Sequence, residues 1–258
     1  MISKVKFFLL GNRLIKSLYL FTLKRERKLY RNNISLFKDK NGIEIGGPSG
    51  TFSKGNPLPI YNVVKSLDNV NFSSDNFWSK IEGGNNFIFD ENKLPGRQFI
   101  DDAVQLSGIE DEQYEFILSS HVLEHVANPI RALFEWGRVL KTGGALLIIV
   151  PDRRYTYDRK RPLTTFNHII EDYLNQVQED DSTHLEEILK LHDLSNDWTV
   201  DSFESHRERT LNNKNTRIAH HHTFDMQLIK DLTNYCGFKC LQQEEFRPYH
   251  LALLAVKV

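Results

Sequence analysis

The stretch Asn41-Gly-Ile-Glu-Ile-Gly-Gly-Pro-Ser-Gly50 decides how the chain is read. A short apolar run carrying one acidic residue, Glu44, gives way to Gly46, Gly47 and Gly50. This is the pattern of a buried strand that ends where the backbone must make room for something. A nucleotide-like cofactor is one occupant of such a turn, and an ordinary Gly-Pro turn is the alternative. No Gly-Lys-Ser/Thr follows, which argues against a phosphate cradle, and the Gly-x-Gly-x-x-Gly spacing of a dinucleotide fingerprint is absent.

Downstream of this turn, Ile60–Leu67 forms a second apolar segment that ends at Asp68, 24 residues after Glu44. In nucleotide-binding α/β folds an acidic residue about 20 positions past the glycine turn accepts the ribose hydroxyls. Asp68 is the candidate for that role, Asp75 a weaker one, and a solvated turn residue the alternative. Residues 69–96 are rich in Asn, Ser and Gly and read as irregular, pinned by Phe72, Phe77 and Trp78. Phe99–Leu106 offers a further strand end with paired carboxylates, Asp101 and Asp102. Tyr114–Ser120 is an apolar strand stopping at hydroxyl residues. Asn128-Pro129 then caps a helix running to about Leu140, with Ile130, Leu133, Phe134 and Val139 inward. Ala145–Val150, stopped by Pro151, reads as a strand covered on both faces.

Strand and crossover recur at about 30–45 residues, which predicts an α/β fold with a parallel sheet and helices on both sides. Ligands of such sheets sit at the carboxyl ends of the strands. Gly46, Asp68, Asp102, Ser120, His121 and the Pro151-Asp152 pair would share that edge. The sheet pattern resumes with a helix from about Phe224 to Cys236 and two strands, Lys239–Phe246 and His250–Val256, joined closely enough for an antiparallel hairpin.

Residues 152–222 interrupt the alternation with a charged insertion containing two predicted helices, Thr165–Val177 and His184–Leu191. An insertion of this length after a central strand reads as a lid or binding surface. Its first part carries Arg153, Arg154, Tyr155, Tyr157 and Arg161, groups suited to an acceptor with many hydroxyls or a phosphate. Ion pairing within the insertion is the alternative. Its end carries His220-His-His222; in an extended segment His220 and His222 share one face. They are candidates for a base, with a solvated or core histidine cluster as the alternative. Two such histidines without a carboxylate neighbour in the sequence make a weak ligand set, so no metal is assigned.

Composition bounds the rest. The chain has 258 residues, 40% of them hydrophobic, enough for a real core. Its 33 basic and 34 acidic residues argue against a general nucleic-acid binder. Eleven of the basic groups and only two of the acidic ones fall in residues 1–40. There Phe7, Leu10, Leu14, Leu18 and Phe21 recur at helical spacing, giving a basic amphipathic segment. Through residues 1–31 it would pack on the body or a second subunit, or lie on a membrane surface. Arg13 and Lys16 break its apolar run short of the ~18–20 residues that span a bilayer. Cys236 and Cys240 read as packing residues of a protein in a reducing cytosol.

Taken together, Glu44-Ile-Gly-Gly-Pro-Ser-Gly50, Ser119-Ser-His-Val-Leu-Glu-His125, Asn128-Pro129 and Arg138-Val-Leu-Lys-Thr-Gly-Gly144 resemble the successive motifs of class I S-adenosylmethionine-dependent methyltransferases. The likeness is strongest over about residues 40–151, and Pro48 stands where the family has its second glycine. It implies a doubly wound, mostly parallel, Rossmann-like sheet of seven strands ending in an antiparallel hairpin. It also implies S-adenosyl-L-methionine as cofactor. Glu44, Gly46, Gly47 and Gly50 would face the cofactor's amino-acid part, Asp68 its ribose, and Asp102 with Ala103 its adenine. Ser120 and His121 would lie beside the methionine or the substrate, and Glu124 and His125 could equally start the next helix. His222, His220 and His121 are the candidate catalytic bases. The chain is also similar to methyltransferase-domain proteins that accompany bacterial polysaccharide assembly, which implies O-methylation of a sugar, sugar nucleotide or glycan. A methyltransferase-fold protein that binds without catalysis is the alternative, and a nicotinamide-dependent oxidoreductase a more distant one.

Overall fold

The computed structural model describes residues 25–75, 83–197 and 199–258. Its strands are β1 (Asn41–Ile45), β2 (Ser66–Asn71), β3 (Gly84–Phe87), β4 (Gly96–Ile100), β5 (Tyr114–Ser120), β6 (Leu140–Pro151), β7 (Phe238–Phe246) and β8 (His250–Lys257). They form one sheet in the order β3-β4-β2-β1-β5-β6-β8-β7. The run from β4 to β6 is parallel, and β3, β7 and β8 pair antiparallel. The expected α/β class and terminal hairpin are both present, with eight strands rather than seven. The additional strand is β3, in the stretch read as irregular. Its Gly-Asn-Asn-Phe sequence lacks the alternation that marks a strand.

Both faces of the central strands are buried, so alternate residues enter different cores. Ile117, Leu146, Ile148 and Val150 face one apolar cluster, while Phe116, Leu118, Leu147 and Ile149 face the other. The helices are α1 (Lys28–Asn33), α2 (Pro129–Val139), α3 (Phe166–Leu174), α4 (Leu185–Leu191), α5 (Phe203–Leu211), α6 (Asn213–Thr216) and α7 (Met226–Tyr235). The first cluster is closed by α2 and α7. The second is closed largely by α1 and by the aromatic segment from Phe52 to Val64, where helices were expected. That coverage leaves no long helix over the β1–β2 connection among the described residues. The chain there folds instead as short 3₁₀ turns around Phe52, Ile60 and Tyr61.

Local chemistry sets the helix ends. Asn128 caps α2 by accepting from the Arg131 amide, Thr165 caps α3 through His168, and Asp225 caps α7 through Leu228. Phe134 was expected inward but is 41% exposed. It lies at the edge of the α2 face, against the Tyr173 and Tyr235 rings. Helix α5 was not predicted, because its Phe-Glu-Ser-His-Arg-Glu-Arg-Thr-Leu sequence carries almost no apolar stripe.

The described end of the basic segment is docked: the Leu29 amide donates to Glu244 and the Asn33 amide group donates to Gln242, both on β7. The amphipathic stripe from Phe7 to Phe21, with its membrane or subunit contact, lies outside the described residues, as do Phe77 and Trp78. Among the described residues no helix is long and apolar enough to cross a membrane.

Trp136 fastens α2 to the edge that follows β4. It is fully buried, and its indole N–H donates to the Ala103 carbonyl at 2.9 Å. Trp136→Ala is expected to destabilise the fold by about 3–5 kcal/mol, as measured by denaturant unfolding, because it opens a cavity and orphans that carbonyl.

Candidate active site

The strand registers bring four strand ends level. Ile45 of β1 lies opposite Val70 of β2 and Ser119 of β5, and Asn71 lies opposite Ile100 of β4. Gly46, Asn71, Asp101 and Ser120 therefore start one edge, the edge where α/β sheets bind ligands. Gly46 has φ +82° and donates its amide to the Val70 carbonyl. A Cβ there would run into Val122, and one at Gly47 into the Glu44 carboxylate, so both positions require glycine. Gly50 has open space around it.

Glu44 is a correction to the sequence reading. Its side chain turns behind the glycine turn and is completely buried. There it accepts from the Tyr61 hydroxyl at 2.5 Å and from the Ser49 amide at 3.1 Å. It shapes the turn from below rather than meeting a ligand. Burial pushes its pKa up to about 7, against the pull of those two hydrogen bonds.

Asp68 is a second correction. It is the third of six residues in β2, opposite Ile43, and accepts from the Arg97 amide and the Tyr114 hydroxyl well before the strand end. The apolar run from Ile60 is a 3₁₀ turn, so the strand starts later than its hydrophobicity suggests. The end of β2 belongs to Asn71, and Asp75 follows beyond it. Asn69, which sequence reasoning passed over, ties the strands together: its amide accepts from the Gly47 N–H and donates to the Gly47 carbonyl and to Gln98.

At the β4 side, Asp102 accepts from the Val104 amide and pairs with Arg217 at 3.1 Å. Arg217 also pairs with Glu179, so the insertion closes over this end of the edge. The Ala103 carbonyl is taken by Trp136. The end of β4 thus carries two carboxylates, Asp101 and Asp102, while the amides of Gly46, Gly47 and Ser49 are bonded within the protein to Val70, Asn69 and Glu44.

At the end of β5, His121 adopts φ +57° and keeps 27% of its side chain exposed. Its Nδ1 lies 3.3 Å from Glu124 and its Nε2 2.9 Å from His250 Nδ1, with Tyr249 edge-on at 5.5 Å. Ser120 beside it is buried. Glu124 is 1% exposed, and neither carboxylate oxygen has a full hydrogen bond. Burial raises its pKa, yet His121, His125 and His220 outweigh that and leave it below the usual glutamate value. Burial and the neighbouring His220 push His125 down to about 4.

The insertion uses most of its cations internally. Arg161 is a correction: at 2% exposed it bonds Asp158, Glu187 and the carbonyls of His220 and His221. Tyr157 is likewise turned inward, its hydroxyl 2.7 Å from His220 Nε2. Arg153 donates to the Arg159 and Arg161 carbonyls. Arg154 pairs with Asp152 and Glu245. Tyr155 is 55% exposed and remains available to a ligand.

The three histidines diverge rather than alternate. His220 meets Asp158 and Tyr157, His221 lies 3.1 Å from the Asn213 amide nitrogen, and His222 meets Asp172 at 3.0 Å. His222 is fully buried beside α3, which removes it from the exposed edge and corrects its reading as the base. Around it the fold gathers His168, Asp172 and His184, a ligand set invisible in the sequence. A second group joins Glu124, His125 and His220.

The chain matches a family model described as a methyltransferase domain over residues 19–243. Its fold is similar to the crystal structure of a SAM-dependent methyltransferase from Methanosarcina mazei (14% identity, TM-score 0.50), covering 90% of this chain and 98% of that one. It is also similar to an S-adenosylmethionine-dependent methyltransferase from Mesorhizobium loti (12% identity, TM-score 0.51), covering 89% and 96%. Among curated proteins no sequence relative matches.

The raised pKa of Glu44 gives a pH signature. A carboxyl whose folded pKa exceeds its unfolded one stabilises fully below the unfolded value and loses that contribution as pH rises through the folded one. Relative to Glu44→Gln, the wild type should therefore lose stability between pH 4.5 and about 7 and level off above that range, as followed by urea unfolding across pH.

Proposed function

The chain belongs to the methyltransferase-domain family and uses S-adenosyl-L-methionine as its methyl donor, and from that premise we propose that it methylates a hydroxyl of a small polar acceptor: a sugar, sugar nucleotide or glycan. The observation that carries this reading is the His121–Glu124 pair at the end of β5. A hydroxyl is a poor nucleophile until its proton is taken, so an O-methyltransferase needs a base where amine or thiolate acceptors need little or none. A partly exposed histidine backed by a buried carboxylate is such a base.

The cofactor supplies a sulfonium-bound methyl group, and the chain's own residues prepare the acceptor. With Nδ1–H directed at Glu124, His121 presents the Nε2 lone pair. His250 Nδ1, 2.9 Å away, holds that position and gives it up to the acceptor hydroxyl. The proton passes to His121 as the oxygen attacks, and Glu124 balances the imidazolium charge. Holding the acceptor in line supplies several kcal/mol, up to about 10. The exposed rings of Tyr155 and Tyr249 offer flat apolar faces suited to a sugar. The Gly46–Gly47 turn, the segment from Asn71 to Asp75, and Asp102 are the positions proposed to hold the cofactor's methionine, ribose and adenine. The base is thus assigned to His121, with His220 in a supporting position and His222 outside the site.

The test is release of S-adenosylhomocysteine with a panel of sugar nucleotides and oligosaccharides set against amines and thiols. Turnover confined to amines or thiols would overturn the reading. His121→Gln is expected to lower kcat by about 10²–10⁴ while calorimetry finds S-adenosylhomocysteine affinity unchanged. Glu124→Gln should also slow turnover, again with S-adenosylhomocysteine affinity unchanged.

A further inference from the structure

The histidines the reaction leaves unused are gathered at one place. On α3, His168 and Asp172 stand four residues apart and so share a face of the helix. His184 comes from the turn before α4, and His222 from the extended segment that leads to α7. The three elements are separate in the chain, yet one ligand atom from each of the four residues lies within 4.8 Å of all the others. The separations are 3.2 Å from His168 Nε2 to His184 Nε2, 3.4 Å from His168 Nε2 to Asp172 Oδ2, and 3.0 Å from His222 Nε2 to Asp172 Oδ2.

These distances carry chemical information. An ion with bonds of about 2.0–2.1 Å to each of four tetrahedral ligands holds its donor atoms about 3.3–3.4 Å apart. The observed separations fall close to that edge length. His168 Nε2 faces His184 Nε2 at 3.2 Å, and His168 Nε2 and His222 Nε2 both lie within 3.4 Å of the same Asp172 oxygen, so the donors converge on one point rather than forming separate pairs. Three nitrogens and one carboxylate oxygen are the donors of a borderline-soft divalent ion, not of Mg²⁺ or Ca²⁺.

We propose that His168, Asp172, His184 and His222 form a tetrahedral site for Zn²⁺ or a closely similar divalent ion, which fastens the insertion to the segment preceding α7. Four protein ligands close the coordination sphere, the arrangement of a structural site rather than one with a position open for substrate. His168, with 39% of its side chain exposed, leaves an entry path from solvent. Asp181 and His221 stand beside His184 as the next layer, His221 Nδ1 lying 3.8 Å from the Asp181 carboxylate. The ion fixes His222, and with it the backbone two residues away that carries His220 next to Glu124 and His125. The proposal is independent of the acceptor class.

The test uses the full chain, stripped with a chelator and titrated with Zn²⁺ alone and Co²⁺ alone, with metal content measured by mass spectrometry. One equivalent per chain is expected, with the strong visible absorption of tetrahedral Co²⁺ and a rise in Tm on adding Zn²⁺. His168→Gln, at the exposed rim and therefore compatible with folding, should weaken Zn²⁺ binding by about 100-fold or more, and His184→Gln likewise. His125→Gln, in the neighbouring Glu124–His125–His220 group, should leave the equivalent in place. Absence of stoichiometric binding, the weak absorption of octahedral Co²⁺, or loss of the ion in His125→Gln but not in His168→Gln would each overturn the proposal.

Discussion

Arg161 places a guanidinium where water does not reach and satisfies it on four sides: Asp158 at 3.0 Å, Glu187 at 2.8 Å, and the carbonyls of His220 and His221 at 2.7 and 3.1 Å. A buried charge is tolerated only when its partners are near and its hydrogen bonds complete. The constraint runs both ways, because Asp158 is equally buried and shared with His220. Burial would raise the Asp158 pKa, but His220 and Arg161 outweigh it and hold the group down at about 2. The cation thus clamps the beginning of the insertion to its end, 59 residues later. The backbone of His220 and His221 has no freedom to slide along the sheet edge.

That clamp explains how three consecutive histidines serve different neighbourhoods. With their carbonyls bound to Arg161, His220 and His221 hold the segment so that His220 turns to Tyr157 and Asp158 and His222 reaches Asp172. One residue of displacement would exchange these environments. The fold therefore fixes the register of a short stretch by charge, as hydrophobic alternation fixes that of the sheet.

What could be read from the sequence follows the range of the forces involved. Tyr114–Ser120 has its predicted boundaries because a strand buried on both faces is a continuous apolar run. The α2 boundaries were legible because Asn128 and Pro129 act within one turn. Asp68 misled because Ile60–Val64 is apolar for a different reason: it covers the second core as a 3₁₀ turn, which delays β2. Arg161 and Tyr157 looked like ligand-binding groups because nothing local shows that Glu187 and His220 will be brought to them. The cluster around Asp172 was illegible for the same reason. Its members are spread from residue 168 to residue 222, and the carboxylate that completes it lies 50 residues before His222.

The sheet edge carries two buried carboxylates whose surroundings drive them in opposite directions, and this difference assigns their roles. Glu44 lies among a tyrosine hydroxyl and a backbone amide with no cation beside it, so desolvation prevails and its pKa rises to about 7. Glu124 is as deeply buried but surrounded by His121, His125 and His220, whose bonding and fields overcome desolvation. When two acids at one site are pushed apart in this way, the one that stays anionic is the one able to support a developing cation. Glu44 then belongs to the architecture of the glycine turn, holding it closed through Tyr61 and Ser49. Glu124 lies under His121, the more exposed of the two histidines that follow β5. On the proposed reading proton transfer is therefore confined to the β5 side of the edge, and the glycine turn at β1 has only to shape the cofactor's seat.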